Sequence, residues 1–290
     1  MKLVRYTHHG RTRLGKVVDS TVIDLSEITG IDHSMRQLLN DLPALRERLE
    51  RATGPAIALE EVRLEAPIHD PQKFLGIGMN YRQHAEEARR AGIAIPPSQM
   101  WFNKQVSCIS GPFDPVVKPR VSEQMDYEIE LGVVIGRRCR HVSARDAHAV
   151  IAGYLIVNDL SARDWLKKSP TFTLGKSFDT HGPLGPWLTT GDEIADPLAL
   201  QMTLTVNGEQ RQHASTGDMI YNIYQQIEYL SSVMTLEPGD VLATGTPSGI
   251  GAPTGRFLQP GDLLHLTIDG LGAIEHRVVA EDDVIAWEAC

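Results

Sequence analysis

The stretch that most constrains this chain is Asp126-Tyr127-Glu128-Ile129-Glu130, running into Leu131-Gly132-Val133-Val134-Ile135-Gly136. Acidic and apolar residues alternate with a period of two, the period of a β-strand. Asp126, Glu128 and Glu130 then share one face, and Tyr127, Ile129 and Leu131 the other. The apolar run that follows is the pattern of a buried strand, so the carboxylates stand at the end of a core element. At a rise of about 3.3 Å per residue, carboxylates two apart lie roughly 6–7 Å from one another. Like charges that close need a cation or protons once buried. Glu128 and Glu130 are therefore read as ligands of a hard divalent ion. A half-buried strand with a wet acidic face fits the same pattern, and the rest of the chain has to decide between them.

A length of 290 residues allows one large or two unequal domains, with ample chain for a core. The net charge of −9 argues against a nucleic-acid binder, which would carry a basic stripe. No apolar stretch of membrane-spanning length occurs, and the first residues lack a signal-peptide pattern. Cys108, Cys139 and Cys290 are odd in number and form no CxxC, which points to a reducing cytoplasm rather than a disulfide framework. There is no repeat of fixed period.

Residues 1–68 read as a small α+β unit: short strands at 3–6, 13–18 and 21–25, then a helix over 34–51 with Met35, Leu38, Leu39, Leu42 and Leu45 in register. The prolines of Ala66-Pro67-Ile68-His69-Asp70-Pro71 mark a linker, and residues 69–290 form the second domain. There, a strand at 73–78 leads into a helix over 82–91. His84 and Glu87 lie three apart on it and meet on one face. A carboxylate that holds a histidine orients a general base, although an exposed helix pair reads the same way. Residues 93–120 are expected as loop and strand near a site mouth, and Ser143–Val150 as a short helix.

The strand at 151–157 ends at Asn158-Asp159, where Asp159 would complete a Glu/Glu/Asp ligand set; capping a helix from about Ser161 is the alternative. Lys176 lies in a Gly/Pro-punctuated loop, 174–186; a lysine in such a loop is usually at the surface, whereas one next to a metal-bound carboxylate could hold a developing enolate. The C-terminal third is expected to be β-rich. Asn207-Gly208 is a hairpin turn, a helix covers 219–234, and strands follow the two Pro-Gly-Asp turns. The glycines of Thr244-Gly245-Thr246-Pro247-Ser248-Gly249 allow close backbone approach to a ligand.

Five segments in this order resemble the fumarylacetoacetate hydrolase superfamily: Gly78-Met79-Asn80-Tyr81-Arg82-Gln83-His84, Asp126 to Gly132, Asn158-Asp159-Leu160-Ser161-Ala162-Arg163-Asp164, Gly175-Lys176-Ser177 and Thr244-Gly245-Thr246-Pro247. The resemblance covers about residues 70–280, and the N-terminal unit is similar to that of bacterial members. It implies an α+β fold with a mixed, rolled β-sheet core, a homodimer, and Mg²⁺ or Mn²⁺ on Glu128, Glu130 and Asp159. It implies that His84 with Glu87 activates water on a helix that orders over substrate, with Lys176 as the third catalytic residue. By position, Tyr81, Arg163 and Thr246 resemble substrate contacts. Many members carry a glutamine three residues after the arginine, where this chain has Leu166. The expected reaction is hydrolytic C–C cleavage of a 2,4-diketo acid, an acylpyruvate or ring-cleavage product, through an enolate. The alternatives are decarboxylation of an oxaloacetate-type keto diacid or isomerisation of an enol-diene dioate, with Arg163, Lys167 and Lys168 receiving a second carboxylate. A non-catalytic ligand-binding role ranks last, because none of the five segments is broken.

Overall fold

The computed structural model describes residues 1–31 and 33–281. Two sheets share one core. The larger is mixed, and its main path runs through strands Ala56–Ala58, Thr21–Asp24, Arg11–Val18, Lys2–His8, Gly182–Thr190, Ile151–Asn158, Ile129–Ile135, Val241–Ala243, Phe74–Gly78 and Met100–Lys104. The smaller has five strands: Glu209–Ser215, Gln201–Val206, Leu263–Ile268, Gly272–Ala280 and Val116–Lys118.

Strand Ile129–Ile135 is buried at every residue, as its apolar run requires. Its pleat divides the core. Ile129, Leu131, Val133 and Ile135 pack toward the smaller sheet, with Met202, Leu204, Leu264 and Leu266. Val134 faces the other way, in the cluster that takes Met35, Leu38, Leu39 and Leu42 from helix Met35–Glu50. That helix begins where Ser34 accepts the Gln37 N–H, and its apolar residues recur at helical spacing. Burying a leucine or isoleucine side chain in such a layer contributes roughly 1.5–3 kcal/mol.

Lys2–His8 pairs with Gly182–Thr190, so the N-terminal strands extend the larger sheet. Three expectations need correction. Gly182–Thr190 itself was expected to lie largely in a loop, because Gly182, Pro183, Gly185 and Pro186 are turn residues. It is a nine-residue strand, and its pairing with Ile151–Asn158 shifts register between Tyr154 and Ile156. The acidic segment is not one strand either. Met125–Asp126 pairs with Ser161–Ala162, Tyr127 and Glu128 lie outside the ladder, and the long strand begins at Ile129. The chain after Asp159 forms a short helix, Arg163–Leu166, whose N-cap is Ala162, so the helix starts later than about Ser161 and Asp159 does not cap it.

Candidate metal centre and active-site cavity

Glu128, Glu130 and Asp159 converge although they come from different local structures. Asp159 follows the last residue of strand Ile151–Asn158, and its N–H donates to the Glu128 carbonyl at 2.9 Å. The Asn158 side chain in turn accepts the Glu128 N–H at 3.2 Å. All three carboxylates are buried, and one ligand oxygen from each lies within 4.8 Å of the others. The donor set is oxygen only, which suits Mg²⁺ or Mn²⁺ rather than a soft metal. Buried Glu130 accepts the Gly245 N–H and pairs with no cation among the described residues, which leaves it a carboxylate whose charge a metal would compensate. On these grounds the residues fit the ion.

Three cations surround this centre. Lys176 Nζ reaches Glu128 Oε2 at 2.6 Å and Asp159 Oδ2 at 2.5 Å. Arg163 donates from Nη2 to Glu128 Oε1 at 2.5 Å and from Nε to Asp126 Oδ2 at 2.8 Å. Lys104, which ends strand Met100–Lys104, sits 2.6 Å from Asp159 Oδ1 and donates to the carbonyls of Lys176 (2.5 Å) and His181 (2.9 Å). Four carboxylates thus face three cations.

The electrostatics follow. Burial pushes the Glu128 carboxyl up, but the charges of Lys176 and Arg163 outweigh it and hold Glu128 at about 2. Glu130 has no such ion-pair partner among the described residues: burial first, then the charges of Asp159 and Glu128, raise it well above the ordinary carboxylate range. Burial lowers Lys176, yet Asp159 and Glu128 reverse this and leave it raised.

Glycine is required next to Glu130. Gly245 has φ +100°, and a Cβ there would stand 2.7 Å from Asn80 Cβ. This backbone brings the Gly245 N–H to Glu130 Oε2 at 2.8 Å. Buried Asn80 holds the loop, donating to the carbonyls of Thr244 and Tyr221 and accepting the Tyr221 N–H. Asp126 supports the centre from behind its ligands. It is fully buried, accepts the N–H groups of Gly251 and Ala252, and so ties the 246–256 loop to Arg163.

A cavity of about 140 Å³ opens onto the centre and is lined by His84, Glu128, Glu130, Arg163, Lys176 and Thr246 among others. Helix Arg82–Arg90 forms one wall. Glu87 Oε2 lies 3.3 Å from His84 Nδ1, so the expected pair is formed with the ring on the cavity. A wider groove of about 710 Å³ in the N-terminal unit is lined by Arg13, Asp24 and His33, but Arg13 is paired with Asp24 and no cluster of carboxylates meets there.

Of the expected substrate contacts, Tyr81 lies away from the cavity and Thr246 lines it with its hydroxyl already engaged. Tyr81 does not line the cavity; it is 1% exposed within the core, and its hydroxyl donates to Met202 Sδ at 3.6 Å. Thr246 lines the cavity, but its hydroxyl donates to the Ile129 carbonyl and accepts from Gln212, so its proton is committed. The sequence reading missed Lys104, Gln212 and Asn80. For Lys104 a signal existed: on a strand it shares a face with Phe102, and a lysine on a buried face requires a carboxylate.

The geometry, a buried oxygen-only acidic cluster and a His–Glu pair on one small cavity, is that of a metal-dependent enzyme acting on a small molecule. The fumarylacetoacetate (FAA) hydrolase C-terminal family matches residues 73–279, and the Rv2993c-like N-terminal family matches residues 1–67. The chain belongs to the fumarylacetoacetate hydrolase family. A relative from Burkholderia cenocepacia, named as a hydrolase, is 41% identical over 94% of this chain and 96% of its own. Maleylpyruvate hydrolase from Sphingobium sp. SYK-6, solved with manganese(II) and pyruvate, is 35% identical with a TM-score of 0.84, covering 97% of this chain and all of that one. The 2-hydroxyhepta-2,4-diene-1,7-dioate isomerase from Mycobacterium marinum is 32% identical with a TM-score of 0.79, covering 98% and 100%. No helix among the described residues is long and apolar enough to cross a membrane.

Proposed function

We propose that this chain is a divalent-metal-dependent hydrolase that cleaves the C3–C4 bond of a 2,4-diketo acid to give pyruvate and a carboxylic acid. The observation that carries this is the meeting, on one small cavity, of the Glu128/Glu130/Asp159 cluster with the His84–Glu87 pair. Glu128, Glu130 and Asp159 hold the ion, which supplies Lewis acidity to the keto acid end of the substrate.

Glu87 accepts from His84 Nδ1–H and fixes the tautomer, which leaves Nε2 to take a proton from water. Water adds to C4 and the C3–C4 bond breaks. Its electron pair becomes the pyruvate enolate, and the proton held by His84 returns to C3. The Lys176 ammonium, raised by the neighbouring carboxylates, stays charged and stabilises the enolate oxygen. Arg163, anchored by Asp126, keeps Glu128 ionised.

His84→Ala is expected to retain Mn²⁺ affinity while kcat falls about 10²–10⁴-fold, the usual contribution of a general base. Full turnover of acetylpyruvate by the variant would remove His84 from this role. An isomerase reading is favoured by the Mycobacterium marinum relative. It uses the same centre without water, and product analysis separates the two. The resemblance also carries a homodimer into this proposal, which light scattering tests.

A further inference from the structure

The cavity is chemically divided. Its charged groups gather at the metal centre, whereas the remaining wall is built from Ile77, Met79, Met100, Phe102, Leu166 and Phe172. We propose that this wall is an apolar acyl subsite, which makes the chain specific for 2,4-diketo monoacids with a short uncharged acyl group and selective against substrates bearing a second carboxylate. This rests on the hydrolase reading above.

The cations nearest the wall are already committed. Arg163 is bound to Asp126 and Glu128, and Lys176 to Glu128 and Asp159. The lysines that could have received a second carboxylate do not line the cavity. Lys168 is exposed, with Nζ 3.5 Å from the centroid of the Trp165 ring, and Lys167 is exposed. A carboxylate against this wall would lose its water and meet thioether, aromatic and aliphatic carbon, a transfer that strongly disfavours the charged form. An acyl chain meets the same surface with gain, and the two methionines adapt to its shape. Size agrees: the whole cavity, its charged end included, measures about 140 Å³, so the acyl chain accommodated beside the keto acid is short. Leu166 is the residue to which the proposal is most sensitive. It lies in the four-residue helix Arg163–Leu166, directly beyond the centre's arginine, and presents carbon where a polar side chain would offer a donor. The maleylpyruvate hydrolase and the 2-hydroxyhepta-2,4-diene-1,7-dioate isomerase are both named for diacids, so the proposed preference would set this chain apart from both.

The test uses the full chain loaded with Mn²⁺ and has two arms. In the first, 2-oxohexanoate and 2-oxoadipate, which cannot undergo this cleavage, are titrated by calorimetry. 2-Oxohexanoate is expected to bind at least tenfold more tightly, and equal or tighter binding of 2-oxoadipate overturns the subsite. Leu166→Arg is expected to narrow or invert that ratio; an unchanged ratio also overturns the role given to Leu166. In the second arm, kcat/KM is compared for acetylpyruvate, propionylpyruvate and fumarylpyruvate, with the monoacids expected to exceed the diacid at least tenfold. Cleavage that favours the diacid sinks the specificity and leaves the hydrolase reading standing. Absence of pyruvate from every diketo acid sinks the hydrolase reading, while the first arm still decides the subsite.

Discussion

Lys104→Met isolates what holds the acidic centre together. The ammonium is fully buried, 2.6 Å from Asp159 Oδ1, and it joins two carbonyls from the turn that carries Lys176. Methionine keeps most of the length and removes the charge. Breaking a buried ion pair from one side costs about 3–5 kcal/mol, because the partner stays behind uncompensated. For a chain of this size one kcal/mol corresponds to about 2 °C, so the metal-free variant should melt about 6–10 °C below the parent by calorimetry. Mn²⁺ should then stabilise the variant more than the parent, since the centre has lost one positive charge. At 100-fold excess over Kd the metal contributes about 2.7 kcal/mol. The control is a double-mutant cycle with Asp159→Asn, in which the two losses should be strongly non-additive. A variant that melts within about 1 °C of the parent, or additive losses in the cycle, would refute the claim that Lys104 secures Asp159 and the Lys176 turn.

Further outcomes follow from single features. Gly245→Ala should lower both the melting temperature and Mn²⁺ affinity, because its φ of +100° and the 2.7 Å approach to Asn80 leave no room for a Cβ beside the N–H that holds Glu130. An unchanged affinity by Mn²⁺ titration would count against that hydrogen bond. Glu130→Gln should weaken Mn²⁺ binding by more than about 100-fold, beyond the usual effect of removing a residue behind a ligand; electron paramagnetic resonance of free Mn²⁺ measures it. Stability should fall in mild acid. Burial lowers His276 to about 4 and His181 to about 3, while the unfolded chain protonates near 6.5. Below 6.5 the unfolded state binds the extra protons. Each histidine therefore removes up to about 1.4 kcal/mol per pH unit, down to its folded value and no further. Urea midpoints between pH 7 and 5 check this, and His276→Gln should flatten the dependence.

The part of the site legible in the sequence was the part that depends on local spacing. A helical period brought His84 and Glu87 to one face, and separation with the apolar run singled out Glu128 and Glu130, but an exposed helix pair and a wet acidic face fitted the same spacing until the five segments were read together. Asp159 needed the end of one strand. What spacing could not show was how distant segments close on these residues. Lys104 lies 55 positions before Asp159 and meets it through the fold, and Gln212 reaches Ile129 and Thr246 from the smaller sheet. Turn-forming residues hid strand Gly182–Thr190, because the cost of glycine and proline there is met by tertiary pairing on both edges. The motif around Tyr81 correctly marked the entry to the His84 helix, but a tyrosine at such an entry can serve the core as well as the cavity, and here it serves the core.

The most direct measurement is product release from acetylpyruvate by the purified chain, followed for pyruvate and acetate together. With Mn²⁺ or Mg²⁺ the two should appear in equal amounts, cease on addition of a chelator, and resume when the metal is restored. Failure to form pyruvate with saturating metal, or turnover undiminished by complete chelation, would contradict a metal-dependent carbon–carbon hydrolase built on Glu128, Glu130, Asp159 and His84.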